Sequence, residues 1–161
     1  MKITTKIIGM ALILLSAVFY GWTKIYAERN KLKETSAFYD FIRYIRDNIE
    51  HFSKPLPEIC KNYQNQYFTK RGLSSQIERC GIKSALEAYV FLMSEEDTDT
   101  VLQFAREIGG GYREDELRLC DYTLKRLEGS IAAQKGEIKN KEKMYKTIPV
   151  LLAASVILLF V

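Results

Sequence analysis

The chain has one histidine, His51, and three cysteines, Cys60, Cys80 and Cys120, and these four side chains bound the chemistry it could do. A nucleophilic triad needs an imidazole or another base beside the nucleophile, and a structural zinc site needs about four nitrogen or sulfur ligands at short, repeated spacings. A single histidine cannot build a multi-histidine metal site, and no CxxC or Cys/His pairing occurs. His51 therefore reads as a surface or capping residue near a helix end. The cysteines, odd in number and far apart, read as reduced thiols of a cytosolic domain rather than a disulfide scaffold.

Two further clusters invite a chemical reading. Gly109, Gly110 and Gly111 are followed by no Lys-Ser/Thr, so they fit a helix cap with a flexible joint and not a phosphate loop. Glu95, Glu96, Asp97 and Asp99 could bind a cation or a basic partner, but carboxylates at a helix start first serve the positive end of the helix dipole. No pair of catalytic carboxylates and no nucleophile with its base is found. The expectation is a protein that is not an enzyme, with no cofactor and no metal site. Glu95, Glu96 and Asp97, together with Arg113, Glu114 and Arg118, are the charged side chains expected to meet a partner.

The elements that carry these residues begin and end in apolar runs. Ile7 to Thr23 is 17 residues without a charge, and Thr147 to Val161 is another 15. At 1.5 Å per residue they reach roughly 25 and 22 Å, short of a bilayer core of about 30 Å, so Tyr20, Trp22, Tyr145 and snorkelling lysines must cover the rest. A cleaved signal peptide is the rival reading of the first run, but that run exceeds the usual apolar core, and bulky Tyr20, Trp22 and Tyr26 sit where small residues are wanted. Two short transmembrane segments, 1–23 and 147–161, are expected.

Orientation follows from the basic residues beside these runs. Lys24, Arg29, Lys31 and Lys33 follow the first, and Lys135, Lys139, Lys141, Lys143 and Lys146 precede the second, against Lys2 and Lys6 outside. The segment 24–146 should therefore be cytoplasmic. The net charge of +4 comes largely from these lysines, which suit anionic lipid headgroups and make nucleic acid a poor partner.

Those 123 residues suffice for one domain with a core, and the pattern is helical throughout. Phe38, Phe41/Ile42, Ile45, Ile49 and Phe52 predict a first helix that leaves the membrane and stops near Ser53, before Pro55 and Pro57. Ile59, Tyr63 and Tyr67 predict a short second helix, and Leu73 and Ile77 a third, ended by Gly81. Ser84 to Glu87 reads as a capping box opening a fourth, with Leu86, Tyr89/Val90 and Met93 inward. A fifth opens at Ser94 to Asp97 and buries Val101, Phe104/Ala105 and Ile108. From Arg113 the last helix carries a heptad seam, Leu117, Cys120, Leu124, Leu127, Ile131, Gln134 and Ile138, suited to an antiparallel pairing with the first. The expected fold is all-α, a bundle of about six helices between two membrane segments.

The ordered set of elements carries a resemblance. With its short N-terminal anchor, Pro55-Leu56-Pro57 after the first helix, Ile108-Gly109 before the longest one, and Lys143-Met144-Tyr145-Lys146 leading into the terminal apolar run, the chain resembles the stage III sporulation protein AB family. Where that family usually continues with Ser-Asp and then Gln and His, this chain has Gly111-Tyr112, Glu116 and Leu119. The cytoplasmic domain of the family is similar in fold to the type II secretion system F protein. The resemblance implies a membrane platform of the sporulation channel between mother cell and forespore. It would dock a secretion-type ATPase and other membrane subunits, with homo-oligomers as a further option. The rival expectation is a membrane-bound sensor or regulator, disfavoured because only six residues precede the first span and none follow the second.

Overall fold

Two prolines decide where the first helix must stop. α1 runs from Lys2 to Phe52, and Pro55 and Pro57 follow at once. A proline ring disfavours helical backbone in the residue before it, but tolerates the first turn of a new helix, where its missing N–H would have had no partner. Pro55 is accordingly extended (φ −65°, ψ 140°) and opens α2, Leu56–Asn62. The remaining helices are α3 (Gln66–Lys70), α4 (Leu73–Glu87), α5 (Glu95–Glu107) and α6 (Arg113–Phe160).

The computed structural model describes the backbone of residues 2–52 and 54–160, and the side chains of 15–16, 19–52, 54–144, 147–148 and 151. Among the described residues the fold is all-α, with six helices and no strand. The chain forms two compact units, one of residues 1–29 and 134–161 and one of residues 30–133. Among the described residues, no helix is long and apolar enough to cross a membrane. The anchors expected at 1–23 and 147–161 fall largely on residues whose side chains lie outside that description.

The core of the 30–133 unit is built on one face of α1. Phe38, Phe41, Ile42, Ile45 and Ile49 are all buried, at the spacing of a single helical stripe. Phe38 packs its ring 5.0 Å from Phe68 and 5.5 Å from Phe91, and Phe41 lies 4.9 Å from Tyr63. Against this stripe lie Leu73, Ile77, Ile82 and Leu86 of α4, Val101 and Phe104 of α5, and Cys120 and Leu127 of α6.

Three boundaries differ from expectation, each for a local reason. The helix predicted through Ile59, Tyr63 and Tyr67 is two helices, because Asn65 is extended and its side chain accepts the Tyr67 amide at 2.8 Å, capping a fresh start. Gly81 ends the third predicted helix as expected, its φ of 80° and ψ of 168° dividing α4 into two helical stretches, but the second stretch starts directly after Gly81. Ser84 therefore lies inside that stretch and is not its cap. α4 ends at Glu87, so Tyr89, Val90 and Met93 are loop residues, with Met93 buried and Val90 exposed.

The pairing of α1 with α6 in this unit is antiparallel, as expected of a hairpin. Arg46 donates to Asp121 at 2.5 Å, and Arg113, earlier on α6, donates at 3.2 Å to the carbonyl of Ile49, later on α1. The seam itself is less even than a heptad implies. Cys120 and Leu127 are fully buried, Leu117, Leu124 and Ile131 only partly, and Thr123, off the seam, is buried with its hydroxyl donating to Leu119 O. An α-helix repeats at 3.6 residues per turn, so a 3.5-residue seam drifts off the contact line. In the 1–29/134–161 unit, Glu28 pairs with Lys141 at 3.3 Å and Arg29 with Glu142, so charge pairs also join α1 to α6 there.

Leu127 is therefore the sharpest test of the core on α6. Truncating a buried leucine typically costs about 2–5 kcal/mol, against a total of about 5–15 for a domain of this size. In thermal unfolding followed by circular dichroism, Leu127→Ala should lower the midpoint by roughly 8 °C or more. Lys125→Ala, on the exposed face, should leave it within about a degree or two; equal shifts for the two variants would refute the packing.

Candidate functional site

One carboxylate in the 30–133 unit has no access to solvent. Glu34 lies one turn before Phe38 on the buried face of α1, with a relative exposure of 0%. An ionised group there must be hydrogen-bonded on all sides or its burial would cost several kcal/mol. Its Oε1 accepts from the hydroxyls of Tyr89 at 2.8 Å and Tyr67 at 3.1 Å, with the Arg71 guanidinium 3.7 Å away. Its Oε2 accepts from the backbone amides of Leu92 and Met93. Arg71 also donates to Tyr89 Oη at 2.8 Å and to the Val90 carbonyl at 2.6 Å, and stacks on the Tyr89 ring. Burial, reinforced by the nearby Glu34 charge, pushes the Tyr67 hydroxyl well above the usual tyrosine range; burial also raises Tyr89. Both phenols hold their protons and donate to the carboxylate.

The hub fixes the chain from Tyr89 to Met93 and so fixes how α4 and α5 meet. Between α2, α4 and α5 a groove of about 710 Å³ opens. Leu56, Ile77, Ile82, Ala105 and Ile108 supply apolar lining, while Lys61, Arg79, Lys83 and Arg106 bring four cations and Glu78 the one carboxylate. Arg106 pairs with Glu87 at 3.3 Å, whereas Lys61, Arg79 and Lys83 have no ion-pair partner among the described residues. Cys80 is exposed in this groove. Cys60, on its wall, and Cys120, in the core, are buried thiols pushed up to about 12, in both cases chiefly by burial, which makes them poor nucleophiles.

The residues expected to meet a partner are dispersed. Asp97 is buried and accepts from Ser130 at 2.8 Å, so it joins α5 to α6 instead of facing outward. Glu96 pairs with Arg126 at 2.7 Å, and Glu95 is exposed on the first turn of α5. Arg113 is committed to the carbonyls of Ile49 and Glu50, closing the C-terminus of α1. Glu114 and Arg118 are exposed, with Arg118 3.9 Å from Asp115. Among the membrane-proximal lysines, Lys24, Lys135, Lys139 and Lys143 are exposed, Lys141 bridges Glu28 and Glu137, and the Lys146 side chain lies outside the described residues.

Neither Glu34 nor the cations of the groove are apparent from residue types alone. The signal for Glu34 was its register: it continues the Phe38–Phe41–Ile45 stripe by one turn, where a charge belongs only if partners meet it. The groove carries no such local mark, since Lys61, Arg79, Lys83 and Arg106 come together only through the Gly81 bend and the packing of α5 on α4.

Compared with protein-family models, residues 6–161 match the family described as stage III sporulation protein AB. No curated protein and no solved structure matches the chain.

Replacing Glu34 by glutamine keeps the shape but puts an NH₂ group where only donors point. Hydrogen bonds to a charged acceptor contribute about 1.5–3 kcal/mol each, so Glu34→Gln should destabilise by roughly 3 kcal/mol or more in urea unfolding. Hydrogen exchange at the Leu92 and Met93 amides should rise with it. An unchanged midpoint with unchanged protection of those two amides would show that the carboxylate does not hold the loop.

Proposed function

The chain belongs to the stage III sporulation protein AB family, and we propose that it is the membrane-anchored assembly platform of a secretion-like channel in sporulation. Its 30–133 unit would face the cytoplasm, on the mother-cell side. The observation that carries the membrane part of this reading is an exposed apolar stripe. Leu15, Phe19, Trp22 and Tyr26 follow one another at four, three and four residues along α1, all at least 66% exposed. On α6, Ile148 and Leu151 are likewise exposed. Leaving such side chains in water costs roughly 1.5–3 kcal/mol each, and a surface of this kind marks a membrane or protein contact. Trp22 and Tyr26 suit the headgroup level, and exposed Lys24, Lys135, Lys139 and Lys143 suit anionic lipid.

The platform part rests on what the family resemblance implies, a cytoplasmic domain similar in fold to the type II secretion system F protein. In that role the protein binds and positions a secretion-type ATPase and other membrane subunits without performing chemistry itself. Exposed Glu95 and Arg118 are its charged contact residues. Copurification of the full chain with the secretion-type ATPase from detergent-solubilised sporulating cells is the expected result, weakened by Glu95→Lys with Arg118→Glu. Recovery of the chain without the ATPase would overturn the docking role.

Orientation can be read separately through Cys80, the exposed thiol. A membrane-impermeant maleimide should label it in inverted vesicles and leave it unmodified in intact cells, and Cys80→Ser should remove the label. Modification in intact cells would place the unit on the other side of the membrane.

A further inference from the structure

The groove between α2, α4 and α5 and the segment after α5 are complementary, and they share an edge. Ile108 lines the groove, and Gly109 follows with a φ of 92° and open space for a side chain closed by Leu56, 3.0 Å from where its Cβ would sit. The backbone can turn there only as glycine. The Gly109 amide donates to Glu116 Oε1 at 3.0 Å, and Arg113 is held by the carbonyls at the end of α1. With those two side chains engaged by hydrogen bonds, the segment presents Tyr112, Glu114 and Asp115. Tyr112 is 83% exposed, the highest of any large apolar side chain among the described residues.

The groove offers what this segment lacks. Its apolar floor of Leu56, Ile77, Ile82 and Ile108 is roomy enough for an aromatic ring and its neighbours. Its rim holds Lys61, Arg79 and Lys83 without ion-pair partners among the described residues, opposite in sign to Glu114 and Asp115. The counter-charges near the acids are Arg118, 3.9 Å from Asp115 and exposed, and Arg113, which is engaged by the α1 carbonyls. Within one copy the ring points into water, so the groove is not filled by its own chain.

We infer that the groove receives the Tyr112 segment of a second copy of this chain, with Tyr112 on the apolar floor and Glu114 and Asp115 on the cationic rim. Because groove and segment adjoin, two copies can exchange them reciprocally about a two-fold axis, which closes the assembly as a dimer. Each charge pair at such a rim contributes little alone, so specificity comes from the ring and the charges acting together.

The native Cys80 in the groove makes the contact measurable in the full chain, in membranes. Two copies of different tag length are coexpressed, one carrying Gly111→Cys with Cys80→Ser, which keeps the Tyr112 ring, the other unaltered, and oxidised with copper phenanthroline. The expected product is a disulfide-linked heterodimer that disappears when Cys80 of the second copy is also Ser. Arg79→Glu with Lys83→Glu on the second copy should reduce the linked fraction by about tenfold, and Glu114→Lys with Asp115→Lys on the first copy should restore it. Circular dichroism of each purified variant verifies that these exposed substitutions leave the fold intact. Folded chains that give no heterodimer would overturn the inference and leave the groove to another protein or a small molecule. A heterodimer that survives Cys80→Ser would overturn it too, and so would one indifferent to the charge reversals.

Discussion

A buried negative charge on α1 organises the 30–133 unit. Glu34 is surrounded by two phenols, two backbone amides and a guanidinium, supplied by α1's neighbours α3, the turn after α3, and the loop after α4. In a low-dielectric interior each of those donors is worth more than at the surface, and each missing one leaves a larger deficit. The carboxylate therefore admits one placement of the 89–93 loop. Hydrophobic burial alone does not: Phe38, one turn on, touches Phe68, Tyr89 and Phe91 with tilted or edge-on rings that would tolerate several small rearrangements. Apolar packing supplies most of the free energy, and the polar hub selects the arrangement.

The position of the hub explains why the rest can be built from short pieces. α2 and α3 have seven and five residues, too few to be stable as isolated helices. They persist because Ile59 and Phe68 are buried against α1 and because Asn65 and Tyr67 fix the turn between them. Asp97 repeats the device on a smaller scale. Ser94 caps α5 by accepting the Asp97 amide, while the Asp97 carboxylate turns inward to accept from Ser130 of α6. One residue thus links the start of α5 to the longest C-terminal element.

The parts of this fold legible from residue order are those set by local periodicity. The α1 stripe, the end of α1 before Pro55, the Ser94 cap, the Val101–Phe104–Ala105 face and the start of α6 at Arg113 each follow from spacing or from one capping residue. The misjudged parts depend on partners distant in the chain. Tyr89 and Met93 have helical spacing relative to Leu86, yet they lie in a loop because Glu34, more than fifty residues earlier, takes the amides that helix continuation would have used. Asp97 reads as one of four solvated acids, and the approach of Thr35 and Ser130 separates it from Glu95 and Glu96. The groove belongs to the same class, since no stretch of residues contains it.

The distribution of charge pairs separates the surface that maintains the fold from the surface left over. Arg46 is satisfied by Asp121 and Glu50, Arg113 by α1 carbonyls, Arg126 by Glu96, and Lys141 by Glu28 and Glu137. These pairs bind α6 to its neighbours or brace a single helix turn, and exposed pairs of this kind contribute register more than stability. Lys61, Arg79 and Lys83 are different: they crowd one apolar groove with like charge. Such crowding costs the isolated unit a little, and a folded chain gains nothing from it unless carboxylates from outside complete the rim. The same reasoning applies to Tyr112, whose exposure the packing around it does nothing to reduce. Two neighbouring features, each unfavourable alone and complementary together, are what a surface built for association presents.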